Sequence, residues 1–382
     1  MESGNLFDAF GIPTTIYYGR GAVGSLADVL IEQGLMRALV VTDVDLADKA
    51  PVRGVASVLE EGNIEVAIAA YAMPDPTTTL VAKTFAVAER YRPNVVVAVG
   101  GGSSIDLAKA VSILLTNGGN ISDYSTPNSV GREPQALVAI PTTAGTGSEV
   151  SRSLNVTDPD SKTKLSIRSW NNRARFAFLD SELLRTLPHS QAVYPALDAL
   201  THAVESYVSR SATPLTQACS QEAFALVVRN VRPFLESRDN SDAGMNMLFG
   251  ACLAGVGFTH AGTGYAHCIA RCLGGEYRVP HGLLCGIALP HIVQFNASVK
   301  GDQYRRLGLI GLASQADVVV ELAEWIAALM ATLEVPTRLR DVGVTRKALG
   351  HIARKCSALG FEKWNPRPAS TKEFGILLDA MW

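Results

Sequence analysis

The sequence predicts an α/β domain built on a parallel sheet, followed by an all-helical domain. Three observations carry that prediction. Short β-branched apolar runs alternate with helix-period segments through the first half of the chain. Polar loops rich in glycine and threonine follow two of those runs. Beyond Asp180 strand-like runs become scarce and long amphipathic stretches take over.

Residues 14–19 predict an opening strand and 21–33 a helix. The run 37–43 is short, apolar and β-branched, as expected of a strand buried on both faces. A helix over 52–61, a strand over 64–71 and a helix over 79–91 follow. The valine-rich run 94–100 is the clearest buried strand, and 135–140 is another. This β-α repetition implies a parallel sheet covered by helices. In the second half, 190–210, 215–237, 243–259 and 316–333 read as helices. The division falls near Leu187-Pro188-His189-Ser190, where Ser190 suits a helix cap. Residues 1–187 therefore form the expected α/β domain and 188–382 the expected helical one.

A chain of 382 residues, 47% of them hydrophobic, is long enough for two domains and a large core. Its formal net charge of -2 argues against nucleic acid or an anionic membrane surface as partner. No apolar run is expected to reach the length of a membrane span. The start, Met1-Glu2-Ser3-Gly4-Asn5, lacks the basic and apolar regions of a signal peptide. All six cysteines lie in the second half among mostly apolar neighbours, which predicts buried free thiols. Cys268 and Cys272 are conceivable metal ligands, although no Cys-x2-Cys pair supports them. A reducing cytoplasm is the expected setting.

Chemistry concentrates in four places. After the valine-rich strand comes Gly100-Gly101-Gly102-Ser103-Ser104-Ile105-Asp106. Backbone without Cβ can approach a ligand closely, and the following helix end favours a phosphate. Three consecutive glycines exceed what a strand-to-helix turn needs. Pro141-Thr142-Thr143-Ala144-Gly145-Thr146-Gly147-Ser148 follows another strand. It reads equally as a ligand loop at the carboxyl end of the sheet or as a plain surface loop. Asp43 ends a strand, where a carboxylate either bonds ribose hydroxyls or caps a turn. Finally, Asp198 and His202 stand four apart on one helical face, with His267 and His281 further on. One carboxylate and three imidazoles suit Fe2+ or Zn2+. The alternative is a set of unrelated polar residues.

Taken together, these motifs resemble the iron-containing (group III) alcohol dehydrogenase family almost end to end. The likeness covers Gly19-Arg20-Gly21-Ala22, the two polar loops, Asp198 to Ser206, Pro280-His281-Gly282, Leu289-Pro290-His291 and Asn365-Pro366-Arg367-Pro368. It implies a dehydroquinate synthase-like fold and a metal-dependent alcohol dehydrogenase or aldehyde reductase using NAD in preference to NADP. It also implies a homodimer or larger homo-oligomer, and a small alcohol or aldehyde as substrate. Asp198, His202, His267 and His281 become the metal ligands, with Fe2+ ahead of Zn2+. Gly101, Gly102, Ser103 and Asp106 fall at the pyrophosphate loop. Thr142, Thr143, Thr146 and Ser148 fall at the second cofactor loop. Lys164 falls near the nicotinamide ribose, and Asp43 at the position tied to NAD preference. Asp75 stands where the family has a cofactor-contacting asparagine. Phe258 matches a bulky pocket residue.

One departure matters. Where relatives often carry a histidine four residues after the third ligand, this chain has Arg271. Arginine has no acceptor lone pair and cannot act as a base near neutral pH. It either binds an anionic group of the substrate or forms a salt bridge. The first option keeps open a reductase of an acidic aldehyde or keto acid, with a phosphonate- or maleylacetate-like substrate. A non-catalytic nucleotide-binding protein is the alternative of another class.

Overall fold

The computed structural model describes residues 9–126, 129–161, 163–312 and 318–382. The Met1-Asn5 stretch and the first two residues of the helix expected over 316–333 lie outside them.

The sheet forms where the apolar runs predict it. Strands β1 (Thr15–Tyr18), β2 (Arg37–Asp43), β3 (Glu65–Ala72), β4 (Val95–Gly100), β5 (Leu137–Pro141) and β8 (Phe176–Leu179) pair in the order β1-β8-β5-β4-β2-β3. Every neighbouring pair is parallel. The central strand β4 shows why. Val95, Val97 and Val99 pack into one core, while Val96 and Ala98 pack into the other. Successive side chains point to opposite faces, so a strand covered on both sides must be apolar throughout. Helices α1 (Leu26–Glu32) and α2 (Ala50–Glu61) cover one face. Helices α3 (Thr78–Tyr91) and α4 (Gly102–Asn117) cover the other.

The antiparallel hairpin of β6 (Ser153–Asp158) and β7 (Thr163–Arg168) carries no clear signal in the sequence, because one side of it is polar and exposed. It is pinned to the sheet domain from below. The buried Lys109 on α4 donates to the Ser151 carbonyl at 2.7 Å and the Ser153 carbonyl at 3.0 Å. Burial pulls the pKa of Lys109 down to about 8, partly offset by Asp106 and Glu149.

The second half is helical: α5 (His189–Val208), α6 (Pro214–Glu236), α7 (Ser241–Ala261), α8 (Tyr265–Tyr277), α9 (His281–Leu312), α10 (Val318–Thr332), α11 (Leu349–Ala358) and α12 (Thr371–Met381). Two expectations need correction. Helix α5 begins at His189 behind Pro188, so Ser190 lies in the first turn and caps nothing. Helix α9 is long and apolar enough to cross a membrane, contrary to the sequence reading. Its apolar side chains, including Leu284, Ile287 and Val293, are instead buried in the helical core. The Asn365-Pro366-Arg367-Pro368 segment braces this core: Asn365 Oδ1 accepts from the Tyr265 amide at 3.2 Å and from Asn296 Nδ2 at 3.2 Å.

Glycines close the seam between sheet and helices. A Cβ on Gly145 would stand 2.3 Å from the Pro195 side chain, and one on Gly147 would stand 2.5 Å from Gly255 Cα. Gly147 also has φ +59, which costs an L-residue further. Gly147→Ala should therefore destabilise the protein by about 1–3 kcal/mol, read as a lower midpoint in urea unfolding. An unchanged midpoint would show that the seam is looser than described.

Candidate metal and cofactor site

Helix α5 is the stave on which the site is built. Asp198, His202 and Glu205 succeed one another along one face, at i, i+4 and i+7. All three are buried. Helix α8 brings His267, and the first residue of α9 is His281. Close backbone approach makes this possible: a Cβ on Gly282 would lie 1.9 Å from the Tyr194 carbonyl oxygen. Only glycine lets α9 start so near α5.

The donors converge. His267 Nε2 lies 3.4 Å from Asp198 Oδ1, and His281 Nε2 lies 3.8 Å from the same oxygen. His202 Nδ1 is 3.9 Å from Asp198 Oδ2, and its ring stacks on His267 at 4.3 Å. Asp198, His267 and His281 each place a ligand atom within 4.8 Å of the others, and so does Cys285. His202 stands at the edge of this set. Cys285 escapes sequence reading because a lone cysteine on an apolar helix looks like core. Its thiol lies 3.7 Å from His281 Nε2, and burial pushes its pKa up to about 12, so it is neutral.

Electrostatics favour a cation here. Burial would raise the Asp198 pKa, but the three histidines outweigh it and hold the carboxyl below its ordinary range. Burial lowers His202 to about 3, and desolvation lowers His281 as well although its side chain is 44% exposed, so both rings can offer a lone pair. His267 behaves differently. Burial opposes its charge, yet its contacts with Cys285, Asp198 and Glu205 raise its pKa well above the usual value. Since the Cys285 thiol is neutral, the two carboxylates are the physical cause.

Asp198 Oδ1, His202 Nδ1 and His267 Nε2 are buried without a hydrogen-bond partner among the described residues. Each unpaired buried polar atom costs about 1–3 kcal/mol. A divalent ion among these donors would satisfy the carboxylate and imidazoles together, so the residues fit one.

Glu205 supports the set from behind. Its carboxylate accepts from the Gly264 amide at 2.7 Å, the Ala266 amide at 2.6 Å and His267 Nδ1 at 2.6 Å. It caps α8 and fixes the ring that α8 carries, leaving Nε2 to face Asp198. The sequence reading did not single it out, although its spacing after His202 was a usable signal.

The loops expected to hold cofactor meet at the seam. Gly100 has φ +150, and a Cβ on Gly102 would stand 2.7 Å from Thr146 Cγ2. The glycine run thus has a packing reason: the threonine loop lies against it. Helix α4 starts with Gly101 at its cap and no capping side chain, so the amides of Gly102 and Ser103 are free to face an anion. Asp106 is buried; it accepts from the Asn155 amide at 3.0 Å with Oδ2, while Oδ1 has no partner. Burial brings it up to about 6, against the pull of Lys109. The Thr142 amide bonds Gly100 at 3.0 Å, and Thr146 Oγ1 accepts from the Ser148 amide at 3.3 Å. Thr143 Oγ1 would stand 3.2 Å from a Cβ on Gly101. Lys164 pairs with Asp75 at 2.9 Å. Asp43 Oδ1 accepts from the Asp45 amide at 2.8 Å, a turn contact. Phe258 stacks on His202 at 4.3 Å, against a candidate ligand rather than in remote core. His260 serves structure, its ring 3.2 Å from the Gly11 carbonyl.

Residues 13–181 match the profile of the iron-containing alcohol dehydrogenase, and residues 192–382 match the C-terminal part of the Fe-containing alcohol dehydrogenase family. The chain belongs to the iron-containing alcohol dehydrogenase family. Membership makes it an oxidoreductase of the CH–OH group, with the fold that the sequence predicts. It is 31% identical over 375 residues to lactaldehyde reductase of Escherichia coli, covering 96% of this chain and 98% of that one. A crystal structure of 1,3-propanediol oxidoreductase superposes with a TM-score of 0.95 at 30% identity, over 99% of this chain and 100% of that chain. Sulfoacetaldehyde reductase from Bifidobacterium kashiwanohense, in complex with NAD+, superposes at 0.88 with 25% identity, over 99% of each chain.

Within this alcohol dehydrogenase, Glu205→Gln should cost roughly tenfold to a hundredfold in metal affinity. The amide cannot accept all three N–H groups. Equilibrium dialysis with Fe2+ or Zn2+ would read the loss; wild-type affinity in the variant would remove Glu205 from the site.

Proposed function

We propose that the protein is an Fe2+-dependent, NAD(H)-preferring enzyme that interconverts a small alcohol and its aldehyde. The observation that carries this reading is the convergence of Asp198, His267 and His281, with His202 beside them. The Gly145 backbone of the second loop lies against His202, so the donor set and the cofactor loops share one seam. The domains divide at 187/188 in this reading, with cofactor held by the first and metal by the second.

Each side chain then has a task. Asp198, His202, His267 and His281 hold the divalent ion; Zn2+ fits the same donors. Gly101, Gly102 and Ser103 offer amides to the pyrophosphate. Asp106, Thr142, Thr143, Thr146, Ser148 and Lys164 line the path to the nicotinamide ribose, with the unpaired Asp106 Oδ1 as a ready acceptor. Asp43 keeps one carboxylate oxygen for ribose hydroxyls and repels a 2′-phosphate. Phe258 backs His202 and narrows the space beside the ligands. When bound, the ion supplies Lewis acidity toward an alcohol or aldehyde oxygen, and the nicotinamide carries the hydride. Arg271 stays charged and takes no part as a base. NAD+ in the superposed sulfoacetaldehyde reductase supports the choice of cofactor. Cytoplasmic residence and a homodimer complete the reading and rest on family likeness.

Chelation should abolish aldehyde-dependent NADH oxidation, and Fe2+ should restore it. Full activity after exhaustive chelation, with metal analysis showing an empty protein, would overturn the metal-dependent mechanism. Separately, Asp43→Asn should raise the ratio of kcat/KM for NADPH over NADH by roughly tenfold, since one repelled charge is worth about 1.4 kcal/mol at that factor. No change in the ratio would remove Asp43 from cofactor selection.

A further inference from the structure

Three arginines gather beside the ligand set without a carboxylate to pair with among the described residues. Arg271 lies one turn beyond His267 on α8, on the same face. Its guanidinium donates to the Lys164 carbonyl on β7 at 3.1 Å. Four residues along the same strand stands Arg168, on the same side of it. Arg168 is opposite Ser153 in the hairpin register, which puts Arg152 next to it. Arg168 lies 5.0 Å over the Trp364 ring, and Arg152 lies 4.4 Å over Trp170.

The geometry ties this group to the site. Trp364 presses on Gly262, where a Cβ would be 2.5 Å from the indole. Gly262 ends α7 one turn after Phe258, which stacks on His202. The positive charges of Lys164 and Arg271 also act on His281. The path from metal donors to arginines is therefore short and continuous.

All three side chains are half-buried, and none forms a salt bridge among the described residues. The nearby Asp75 is already engaged by Lys164 at 2.9 Å. Burial first, then the charges of Arg152 and Arg271, pull Arg168 down to about 10. Burial also lowers the pKa of Arg271, and its closest titratable neighbours are the Cys272 and Cys268 thiols rather than a carboxylate. Partly desolvated cations that lack counter-ions are costly. An anion lying between them and the metal donors relieves that cost.

We infer that Arg152, Arg168 and Arg271 form a subsite for the anionic tail of the substrate. The substrate class is then a short aldehyde carrying a carboxylate, sulfonate or phosphonate. Its carbonyl would lie toward Asp198 and the histidines and its tail toward the guanidiniums, which offer planar paired donors to such oxyanions. This rests on the reading of the site as an aldehyde reductase.

The test compares succinic semialdehyde and phosphonoacetaldehyde with neutral butanal, using NADH and the Fe2+-loaded enzyme. The wild type should favour at least one charged aldehyde over butanal by roughly tenfold to a hundredfold in kcat/KM, as charge-assisted hydrogen bonds warrant. That ratio should fall about tenfold in Arg168→Gln and shrink with rising salt. Sulfate should compete with butanal in the wild type, a measurement that needs no variant to fold. Butanal reduced as well as both charged aldehydes, with no competition by sulfate, overturns the subsite while aldehyde reduction stands. No NADH oxidation with any of the three overturns the reductase and the subsite with it.

Discussion

The buried Glu205 carboxylate is the joint on which the site depends. Three N–H groups converge on it, two from the start of α8 and one from the ring of His267. One interaction therefore sets where a helix begins and how a candidate ligand points. A Cβ on Gly264 would lie 2.8 Å from Glu205 Oε1, so the chain turns into α8 only by passing hard against this carboxylate. Charge-assisted hydrogen bonds of this kind are about twice as strong as neutral ones. They hold His267 in place against the cost of burying it beside Asp198.

The second constraint is closeness of backbone. The donors come from three helices, α5, α8 and α9, and the cofactor loops from two strands. Gly282 lets α9 approach α5, Gly147 and Gly255 let the threonine loop settle on α7, and Gly102 lets that loop rest on α4. Side chains at these points would push the two halves apart by ångströms. A separation of that size would part the donors from the loops, since the Gly145 backbone of the threonine loop lies against His202. The seam thus serves packing and chemistry at once.

Much of this was legible in the residues. Strand β4 is apolar throughout, and β2 is apolar over 38–41, because both faces are covered, and that pattern marks parallel sheet directly. Asp198 and His202 declared a shared helical face by their spacing. Other features were opaque. The β6-β7 hairpin is half exposed, so its alternation is diluted by polar residues such as Asn155 and Lys164. The membrane-length helix α9 went unexpected, because His281, His291, Gln294 and Asn296 interrupt its apolar residues. Glu205 looked like one more acid on a helix, because its three partners lie 59 to 62 residues away in sequence. The unpaired arginines were invisible for a similar reason: Arg271 stood out alone, and only the hairpin register joins Arg168 and Arg152 to it.

Anomalous diffraction at the iron edge, from crystals grown with Fe2+ and NAD, tests the central claim most directly. The account predicts one strong peak about 2.0–2.2 Å from donor atoms of Asp198, His202, His267 and His281, facing the seam that holds the cofactor. A peak at the other convergent donor group, Cys268, Cys272 and Cys356, with none between Asp198 and the histidines, would contradict it.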